Sequence, residues 1–304
     1  MAAPSRISVV IPVHNEQEDV AELTAALGGV LPGGHEIIFV DDGSTDRTWE
    51  RLKSLHDPGR VRLLRFRANF GKTAALVAGF AASRGEIVFT MDGDLQDDPA
   101  EIPRFIAKLE EGFDLVSGWK RRRHDPAGKV IPSRIFNYVV RKATGLALHD
   151  INCGFKCYRG ELARSLRLYG EQHRFIPVFA ASRGFRVGEI EVQHHPRRHG
   201  RSKYGFSRLF KGFFDLVTVL LITRFAERPS HGFGFAAAAL AAVAAITSGA
   251  AFAWPSVPLI GPLAAAGWLG ALLLLAAGWV AETVIAQGNR GEPFPHYHVE
   301  ERFD

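Results

Sequence analysis

A stretch without Asp, Glu, Lys or Arg extends from Gly232 to Ala281 and limits most strongly what this chain can fold into. A single membrane-spanning helix needs only about 20 apolar residues, so the stretch is long enough for two. Three prolines interrupt it near the middle: Pro255, Pro258 and Pro262. Because proline ends or kinks a helix, we predict two transmembrane helices within residues 229–288, joined by a short turn. A helical hairpin buried in a soluble protein is the alternative.

Basic residues flank this stretch on both sides and predict its orientation. Arg224 and Arg228 precede it and Arg290 follows it, whereas the turn between the two helices carries no charge. Lys and Arg are enriched in the cytoplasmic flanks of membrane helices. We therefore expect a multi-pass protein of the cytoplasmic membrane with both termini in the cytoplasm. The many small residues in the stretch would also allow close contact between helices and homo-oligomers formed through them.

The segment 206–228, just before the uncharged stretch, begins with a helix-like pattern. Its apolar face combines six residues: Phe206, Leu209, Phe210, Phe213, Val217 and Leu220. Its polar face carries Arg208, Lys211 and Asp215. A basic amphipathic helix beside a hydrophobic stretch is typical of a helix that lies in the membrane interface. A helix that packs on the protein core is the alternative interpretation.

The first half of the chain alternates short apolar runs with helix-like spacing. The runs are rich in β-branched residues and predict buried strands of a parallel sheet at 7–11, 37–40, 61–64, 87–91 and 115–117, followed by two later strands at 154–158 and 187–193. Helices are predicted between the first strands at 18–31, 45–55 and 72–83. Asp98, Pro99 and Glu101 predict a further helix start, with Asp98 as the cap and Glu101 completing a capping box. This order is typical of a doubly wound α/β fold.

Basic residues outnumber acidic ones and give a formal net charge of +5. They concentrate in two runs, 120–142 and 197–211, which favours an anionic partner. A protein that binds single-stranded nucleic acid would interleave aromatic residues with this charge. Here the second run leads into the predicted membrane helix, so we expect phosphate on a ligand or lipid and no nucleic acid. The two cysteines, Cys153 and Cys157, are too few for a disulfide framework and lack zinc-site spacing.

Polar side chains follow three predicted strands at their carboxyl ends, where doubly wound sheets bind ligands. Asp92-Gly93-Asp94 follows the fourth strand. Its two carboxylates can hold a hard divalent cation together with a diphosphate, with Gln96 as a further oxygen ligand, and Gly93 lets a ligand approach the backbone. The ends of the first and second strands carry polar residues at 14–16 and 41–44. The polar residues at any one strand end are equally typical of a helix cap or a turn. Three such strand ends in one sheet, however, predict a binding site.

Four blocks, in this order, resemble those of family 2 glycosyltransferases, which have the GT-A fold. They are Ser8–Glu16 (SVVIPVHNE), Val40–Asp46 (VDDGSTD), Asn69–Lys72 (NFGK) and Met91–Gln96 (MDGDLQ). Arg197–Tyr204 (RRHGRSKY) and the helical hairpin resemble the branch of dolichyl-phosphate mannose synthases and polyprenyl-phosphate glucosyltransferases. The resemblance implies a GT-A, Rossmann-like α/β domain for nucleotide sugars at 1–205, an interfacial helix and linker at 206–228, two transmembrane helices at 229–288 and a cytoplasmic tail at 289–304.

The resemblance also implies roles for individual residues. The nucleotide-sugar site would be lined by Pro12, His14, Glu16, Val40, Asp42, Asp92 and Gly93. Mg²⁺ or Mn²⁺ would be held by Asp92, Asp94 and Gln96. Catalysis and the neutralisation of phosphate charge would involve Asp94, Asp150, Lys120, Arg121, Arg197 and Lys203, and which residue from Lys120 to Arg123 contacts phosphate stays open. Asp150 would orient the sugar or the acceptor, although a turn-forming aspartate fits its position equally well.

The expected reaction is the transfer of a hexose from a UDP- or GDP-linked sugar to a polyprenyl phosphate, with inversion, at the cytoplasmic face of a membrane. The expected partners are therefore a nucleotide-sugar donor, the polyprenyl phosphate acceptor and membrane lipid. One alternative is a family 2 glycosyltransferase that extends a glycan. Such enzymes usually carry a Gln-x-x-Arg-Trp block, and none of the five tryptophans here follows an arginine. Another is an inactive membrane scaffold that binds nucleotide sugars, against which the complete set of Asp92, Asp94 and Gln96 argues.

Overall fold

The computed structural model describes residues 7–121, 127–196, 208–225, 228–288 and 299–303. The chain divides into two compact units. One contains residues 1–216 and 295–304, and the other contains residues 217–294. The described strands all belong to the first unit, and the second unit contains the two long apolar helices.

A mixed sheet forms the centre of the first unit. In chain order its described strands are β1 (Ile7–Val13), β2 (Glu36–Asp41), β3 (Val61–Phe66), β4 (Ile87–Thr90), β5 (Leu115–Trp119), β6 (Lys156–Arg159), β7 (Val187–Glu191) and β8 (Val299–Phe303). Their order across the sheet is β7-β5-β6-β4-β1-β2-β3-β8. β1 to β4 are parallel, whereas β6 is antiparallel to both β4 and β5. The chain winds away from β1 in opposite directions through β2 and β4, which makes a topological switch point between β1 and β4.

Helices follow the strands and cover both faces of the sheet. The helices of this part are α1 (Val20–Val30), α2 (Thr48–Leu55), α3 (Lys72–Ala82), α4 (Ile102–Glu110), α5 (Ala127–Thr144), α6 (Gly160–Ser165) and α7 (Ile176–Ser182). Side chains alternate between the two faces along a strand. Val9 belongs to the same buried cluster as Leu23 of α1, whereas Val10 faces Gly79 of α3 so closely that a side chain at Gly79 would overlap it.

The helix predicted to begin at Asp98 starts as a 3₁₀ turn, Pro99–Glu101, that leads into α4. Asp98 caps it as predicted, because its Oδ1 accepts from the N–H of Ala100 at 2.9 Å. The predicted capping box is wrong. The carboxylate of Glu101 instead binds Arg104 and accepts from the N–H of Gln193 at 3.3 Å, which ties this turn to the segment after β7.

The C-terminal residues, predicted to form a cytoplasmic tail, include β8. This strand pairs antiparallel with β3, and Arg302 lies opposite Leu64. An uncovered edge strand is a template for pairing with other chains, and β8 covers β3. The chain therefore returns to the first unit after it has passed through the second.

The predicted amphipathic helix is α8 (Arg208–Arg224). Among its described side chains, Val217, assigned to the apolar face, is exposed together with Phe214. Leu216 and Val219 are buried. The helix thus carries apolar residues toward the protein interior and also toward the surface.

The second unit contains the two predicted membrane helices, α9 (Pro229–Ala253) and α10 (Ile260–Gly288). Both are long and apolar enough to cross a membrane. In the most apolar 18-residue stretch of each helix, only 11% and 17% of the residues, respectively, are buried. A core hairpin of a soluble protein would be mostly buried, so this exposure argues against that alternative. Gly267 of α10 allows close contact, since a Cβ there would lie 2.9 Å from the Cβ of Ala244 of α9.

Candidate active site

The switch point between β1 and β4 brings together the strand ends that the sequence predicts to form a site. His14 follows β1, Asp42 follows β2 and Asp92 follows β4 closely. β1 lies between β2 and β4, and the three strands are parallel, so these residues share one edge of the sheet. Open α/β sheets bind their ligands in the crevice at such a point.

The loops after β1 and β2 hold each other in place. The Nδ1 of His14 lies 2.8 Å from the carbonyl oxygen of Asp42, and the N–H of Asn15 donates to the Oγ of Ser44 at 3.0 Å. Asn15 has a φ of +57°, a conformation that Asn adopts more readily than most residues. The residues predicted to line a nucleotide pocket here are partly exposed: Pro12, His14 and Glu16.

Asp42 holds the loop after β3. Its two carboxylate oxygens accept from the N–H groups of Phe70 and Gly71 at 2.7 and 2.9 Å. Burial raises the pKa of this carboxyl, and the two N–H groups offset only part of that rise. Val40, also predicted to lie beside the base, is completely buried within β2 and presents no surface to a ligand. A contact of Asp42 or Val40 with a nucleotide base stays a prediction.

Asp92, the first carboxylate after β4, forms an ion pair with Lys72, the first residue of α3. Burial alone would raise the pKa of Asp92, but the ammonium groups of Lys72 and Lys120 hold it well below its ordinary value, so the carboxylate stays ionised. Gly154 makes room for it, because a Cβ there would lie 2.7 Å from each carboxylate oxygen. Gly93 packs equally closely, since its Cβ would lie 2.8 Å from the Cγ1 of Val13.

Asp94 and Gln96 lie on a strained turn just after Asp92. Asp94 is only 5% exposed, and its Oδ1 accepts from the N–H of Gln96 at 3.3 Å. Leu95 between them has a φ of +57°, which is rare for a bulky side chain and is found mainly where function requires it. The Nε2 of Gln96 donates to the carbonyl of His195 at 3.3 Å. Gln96 thus holds the turn twice, through its backbone N–H to Asp94 and through its side chain to His195.

The basic residues after β5 lie in two different environments. The Nζ of Lys120 is 2.7 Å from the Oδ1 of the fully buried Asp97, and the Lys120 side chain is 11% exposed. Burial would lower the pKa of Lys120, but Asp97 in particular holds it above its ordinary value. Arg121 is exposed and lies 3.3 Å from Glu191. Lys120 therefore anchors the turn after β4, and a phosphate contact by Arg121 stays a prediction.

Asp150 lies behind the site and not at its surface. It is 1% exposed, and its backbone N–H donates to the Oε1 of Glu189 at 2.9 Å. Burial lowers the pKa of the neighbouring Lys156, and the charge of Asp150 offsets part of that lowering. A direct contact of its carboxylate with a sugar or acceptor stays a prediction that this burial does not favour. The other two predicted catalytic residues, Arg197 and Lys203, lie outside the described residues.

The residues after β4 fit a divalent cation that is bound together with a diphosphate. Asp92, Asp94 and Gln96 offer the oxygen ligands that Mg²⁺ and Mn²⁺ prefer, and Gly154 leaves the Asp92 carboxylate the space that a Cβ would fill. In the described part of the chain, no cluster of three or more His, Cys, Asp or Glu forms a complete metal site. Mg²⁺ usually binds one or two carboxylates plus substrate phosphates, so a cation here would complete its coordination with the substrate.

The model of glycosyl transferase family 2 matches residues 8–167, slightly more than half of the chain. The chain belongs to this family. Similar proteins include a dodecaprenyl-phosphate galacturonate synthase of Rhizobium johnstonii, with 35% identity over 98% of this chain and 93% of that protein. An undecaprenyl-phosphate 4-deoxy-4-formamido-L-arabinose transferase of Pseudomonas aeruginosa is 40% identical over 71% of this chain and 66% of that protein. The predicted family and branch are confirmed.

Solved structures confirm the fold of this family 2 glycosyltransferase. A glucosyl-3-phosphoglycerate synthase from Mycobacterium tuberculosis, in complex with Mn²⁺, UDP-glucose and phosphoglyceric acid, superposes with a TM-score of 0.56. The match covers 72% of this chain and 80% of that chain, with 24% sequence identity. At this identity the likeness shows the fold alone. The GT-A-like domain expected from the sequence is therefore present.

A small cavity of this glycosyltransferase lies next to Asp92, and no sequence pattern predicts its lining. Its volume of about 10 Å³ leaves room for about one water molecule. Its polar lining includes Lys72, Thr90, Asn152, Lys156, Tyr158 and His173. Lys72 belongs to a recognised block, but its contact with Asp92 depends on how α3 packs across β1 and β2. Lys156 and His173 are far away in sequence, and no local pattern around them indicates a site.

Proposed function

We propose that this chain transfers a sugar from a nucleotide-sugar donor to a polyprenyl phosphate at a membrane. The observation that carries the proposal is the similarity to the dodecaprenyl-phosphate galacturonate synthase, because it extends over 98% of this chain and 93% of that relative. Both the sheet domain and the two apolar helices fall within that match. The relatives do not fix the sugar, since one is named for galacturonate and the other for 4-deoxy-4-formamido-L-arabinose.

The donor's diphosphate would lie at the edge of the sheet between β1 and β4. Asp92, Asp94 and Gln96 would hold Mg²⁺ or Mn²⁺ there, and the cation would stabilise the negative charge that develops on the leaving nucleoside diphosphate. Lys72 contacts Asp92 and so lies within reach of the same diphosphate. The nucleotide would lie over the exposed parts of the loops after β1 and β2, which include Pro12, His14 and Glu16.

A phosphate acceptor removes the need for a general base. The second pKa of a phosphate monoester is near 6, so an ionised acceptor oxygen is present at pH 7. This oxygen would attack the anomeric carbon as the bond from that carbon to the donor diphosphate breaks, in a single displacement that inverts the configuration. Two anionic reactants must then be held together, for which positive side chains are needed. Arg121, Arg197 and Lys203 are the residues we assign to this task.

Chain connectivity supports a hairpin that enters and leaves the membrane on the same side. α9 and α10 lie in sequence between the main part of the sheet domain and β8, and β8 pairs with β3 of that same domain. Only an even number of crossings satisfies this pairing, and two helices provide it. The flanking arginines favour the cytoplasm for that side. The exposed Phe214 and Val217 of α8 fit a helix in the membrane interface. Homo-oligomers through α9 and α10 stay a prediction.

The test is transfer by the purified full-length protein with undecaprenyl phosphate, Mg²⁺ and a panel of UDP- and GDP-sugars, followed by mass spectrometry of the lipid. We expect one donor to yield a polyprenyl phosphate extended by one sugar, and EDTA to stop the reaction until Mg²⁺ is restored. Asp94→Asn should lower the turnover by about 100-fold or more, because it removes charge stabilisation from the leaving group. Asp57→Asn, an exposed carboxylate between α2 and β3, is the matched control and should leave the turnover unchanged.

Each other outcome favours a different function. Transfer to a glycan but not to lipid phosphate would support a glycan-extending enzyme. Binding of a nucleotide sugar without transfer to either acceptor would support an inactive scaffold. Full turnover by Asp94→Asn would remove the metal assignment and leave the overall reaction standing.

A further inference from the structure

The turn that follows β4 contains three carboxylates, Asp92, Asp94 and Asp97, and two of them contact an ammonium group. Lys72 pairs with Asp92, and Lys120 pairs with Asp97 at 2.7 Å. A divalent cation responds to every charge around it and not to its ligands alone. The two lysines offset much of the negative charge of the turn. A cation that binds here by itself is therefore attracted less strongly than three carboxylates alone would attract it.

The two lysines differ in how open their ion pairs are to a ligand. The Lys120 side chain is 11% exposed and the Asp97 side chain is fully buried, so this pair lies inside the protein and holds the turn. The side chains of Lys72 and Asp92 are 29% and 31% exposed. A ligand that arrives from solvent can reach both of them. Lys72 is therefore the lysine that shares the open side of the site with a carboxylate that we assign to the metal.

The backbone at Lys72 is fixed on both sides, which keeps its side chain at the site. Just before it, the N–H of Gly71 donates to the carboxylate of Asp42 at 2.9 Å. Just after it, Thr73 is buried, and its Oγ1 lies 2.8 Å from the Nδ1 of His173. Only rotations of the lysine side chain can move the ammonium group. The positive charge thus stays at this edge of the sheet, close to any ligand that binds there.

We infer that Lys72 makes the binding of the divalent cation depend on the donor's diphosphate. The inference rests on the proposed function, because it concerns the metal and the donor of that same reaction. A cation on Asp92 lies close to the ammonium group of Lys72, and the two positive charges repel each other. A diphosphate offsets this repulsion, since its negative charge attracts both of them. The metal should therefore bind weakly alone and tightly with the nucleotide, which is a coupling between two ligands.

A lysine that only binds phosphate is the alternative role for Lys72. Such a lysine would strengthen the binding of the nucleotide and leave the affinity for the metal alone unchanged. The ion pair with Asp92 predicts a different result, because Lys72 and the cation share one carboxylate. Removal of the ammonium group should then strengthen the binding of the metal in the absence of any nucleotide. This effect on the metal alone separates the two roles.

The experiment measures Mn²⁺ binding to the full-length protein by electron paramagnetic resonance, which detects the free ion, with and without UDP or GDP. We expect Mn²⁺ alone to bind weakly and one of the nucleotides to tighten it by about 10- to 100-fold, within the usual range of coupling between ligands. Lys72→Met should bind Mn²⁺ alone about 5- to 10-fold more tightly, and the tightening by the nucleotide should fall by about the same factor. Lys72→Arg keeps the charge and should behave like the unmodified protein.

Two further variants control this measurement. Asp94→Asn should weaken Mn²⁺ binding with and without the nucleotide, which locates the measured ion at the turn after β4. Unchanged binding by Asp94→Asn would place the ion elsewhere and overturn the inference. Lys53→Met, at an exposed lysine of α2, should leave both affinities unchanged. A misfolded protein would lose Mn²⁺ binding, so the gain in affinity expected for Lys72→Met cannot come from misfolding.

Two other results would also contradict the inference. One is that the unmodified protein binds Mn²⁺ equally tightly with and without either nucleotide, a comparison that needs no variant. The other is that Lys72→Met leaves the affinity for Mn²⁺ alone unchanged and weakens only the nucleotide, which would make Lys72 a phosphate ligand. The proposed function fails separately. Absence of sugar transfer to lipid phosphate would contradict that function and leave the Mn²⁺ result standing, whereas transfer by a protein with either of these results would contradict only the inference.

Discussion

Gly154 determines how much room the Asp92 carboxylate has. It lies just before β6, the strand that pairs with β4. The Asp92 oxygens occupy the space beside the Gly154 backbone, and a Cβ there would lie 2.7 Å from each of them. Such a distance forces the carboxylate or the backbone to move. The position of the first metal ligand we assign thus depends on a residue about sixty positions away in sequence.

Gly154→Ala is therefore expected to damage catalysis more than folding. Displacing the Asp92 carboxylate by about 1 Å would lower kcat/KM by about 100-fold and raise the Mg²⁺ concentration needed for half-maximal activity. The added methyl group should cost about 1–3 kcal/mol of stability through overpacking. Activity titrations with Mg²⁺ and thermal unfolding measure the two effects. Gly28→Ala, on an open surface of α1, is the control and should stabilise the helix by about 0.5–1 kcal/mol without changing kcat/KM. An unchanged Mg²⁺ dependence in Gly154→Ala would show that the space beside Asp92 is not needed.

Sequence patterns locate the site residues whose position follows from the end of a recognisable strand. They do not locate residues whose role depends on contacts between segments that are distant in sequence. Asp92 and Asp94 lie after a recognisable strand, so their place at the edge of the sheet could be predicted. Asp42 was predicted at the same edge, but its partners are N–H groups of the loop after β3, and no pattern in the sequence pairs them. Lys72 and Lys156 meet at the cavity only because α3 packs on β1 while β6 pairs with β4.

At the scale of elements, the strands that a parallel sheet buries were predicted within a few residues, because their apolar runs are continuous. Two strands depend on more distant information. β6 enters antiparallel between β4 and β5, and its direction follows from the path of the chain and not from its composition. β8 has the sequence Val-Glu-Glu-Arg-Phe, which is strongly charged, and only the open edge of β3 explains why it forms a strand.

Removing residues 299–304 from the full-length protein is expected to destabilise the sheet domain. Four residue pairs join β8 to β3. Each cross-strand pair is worth about 0.2–1 kcal/mol, so the loss is about 1–4 kcal/mol. For a domain of this size, each kcal/mol lowers Tm by about 2–4 °C, which scanning fluorimetry in detergent resolves. The exposed edge should also increase aggregation on heating. Glu300→Gln keeps the backbone of the strand and should leave Tm nearly unchanged. An equally stable truncated protein would show that β8 does not protect β3 in solution.

At the scale of the whole molecule, one chain must combine a water-exposed sheet domain with a hairpin whose surface is largely apolar. Phe252, Leu272 and Trp279 are exposed on that hairpin. Exposed apolar surface of this extent is rare on soluble proteins and marks a membrane or protein partner. The pairing of β8 with β3 restricts the topology of the hairpin in a way that the hydropathy of its helices alone does not. For the proposed membrane hairpin, this pairing would keep both ends on the side of the sheet domain, whatever the length of the helices.

Single cysteines can test this topology because both native ones, Cys153 and Cys157, are buried and should react slowly. Ser256 lies exposed in the turn between α9 and α10, and Lys53 is exposed on the sheet domain. In sealed spheroplasts with the native orientation, a membrane-impermeant maleimide should label Ser256→Cys and not Lys53→Cys. In inside-out vesicles the pattern should reverse, because two crossings place the turn on the far side from the sheet domain. Labelling of both positions from the same side would instead show that α9 and α10 lie on one face of the membrane, and the requirement set by β8 would then be met without any crossing.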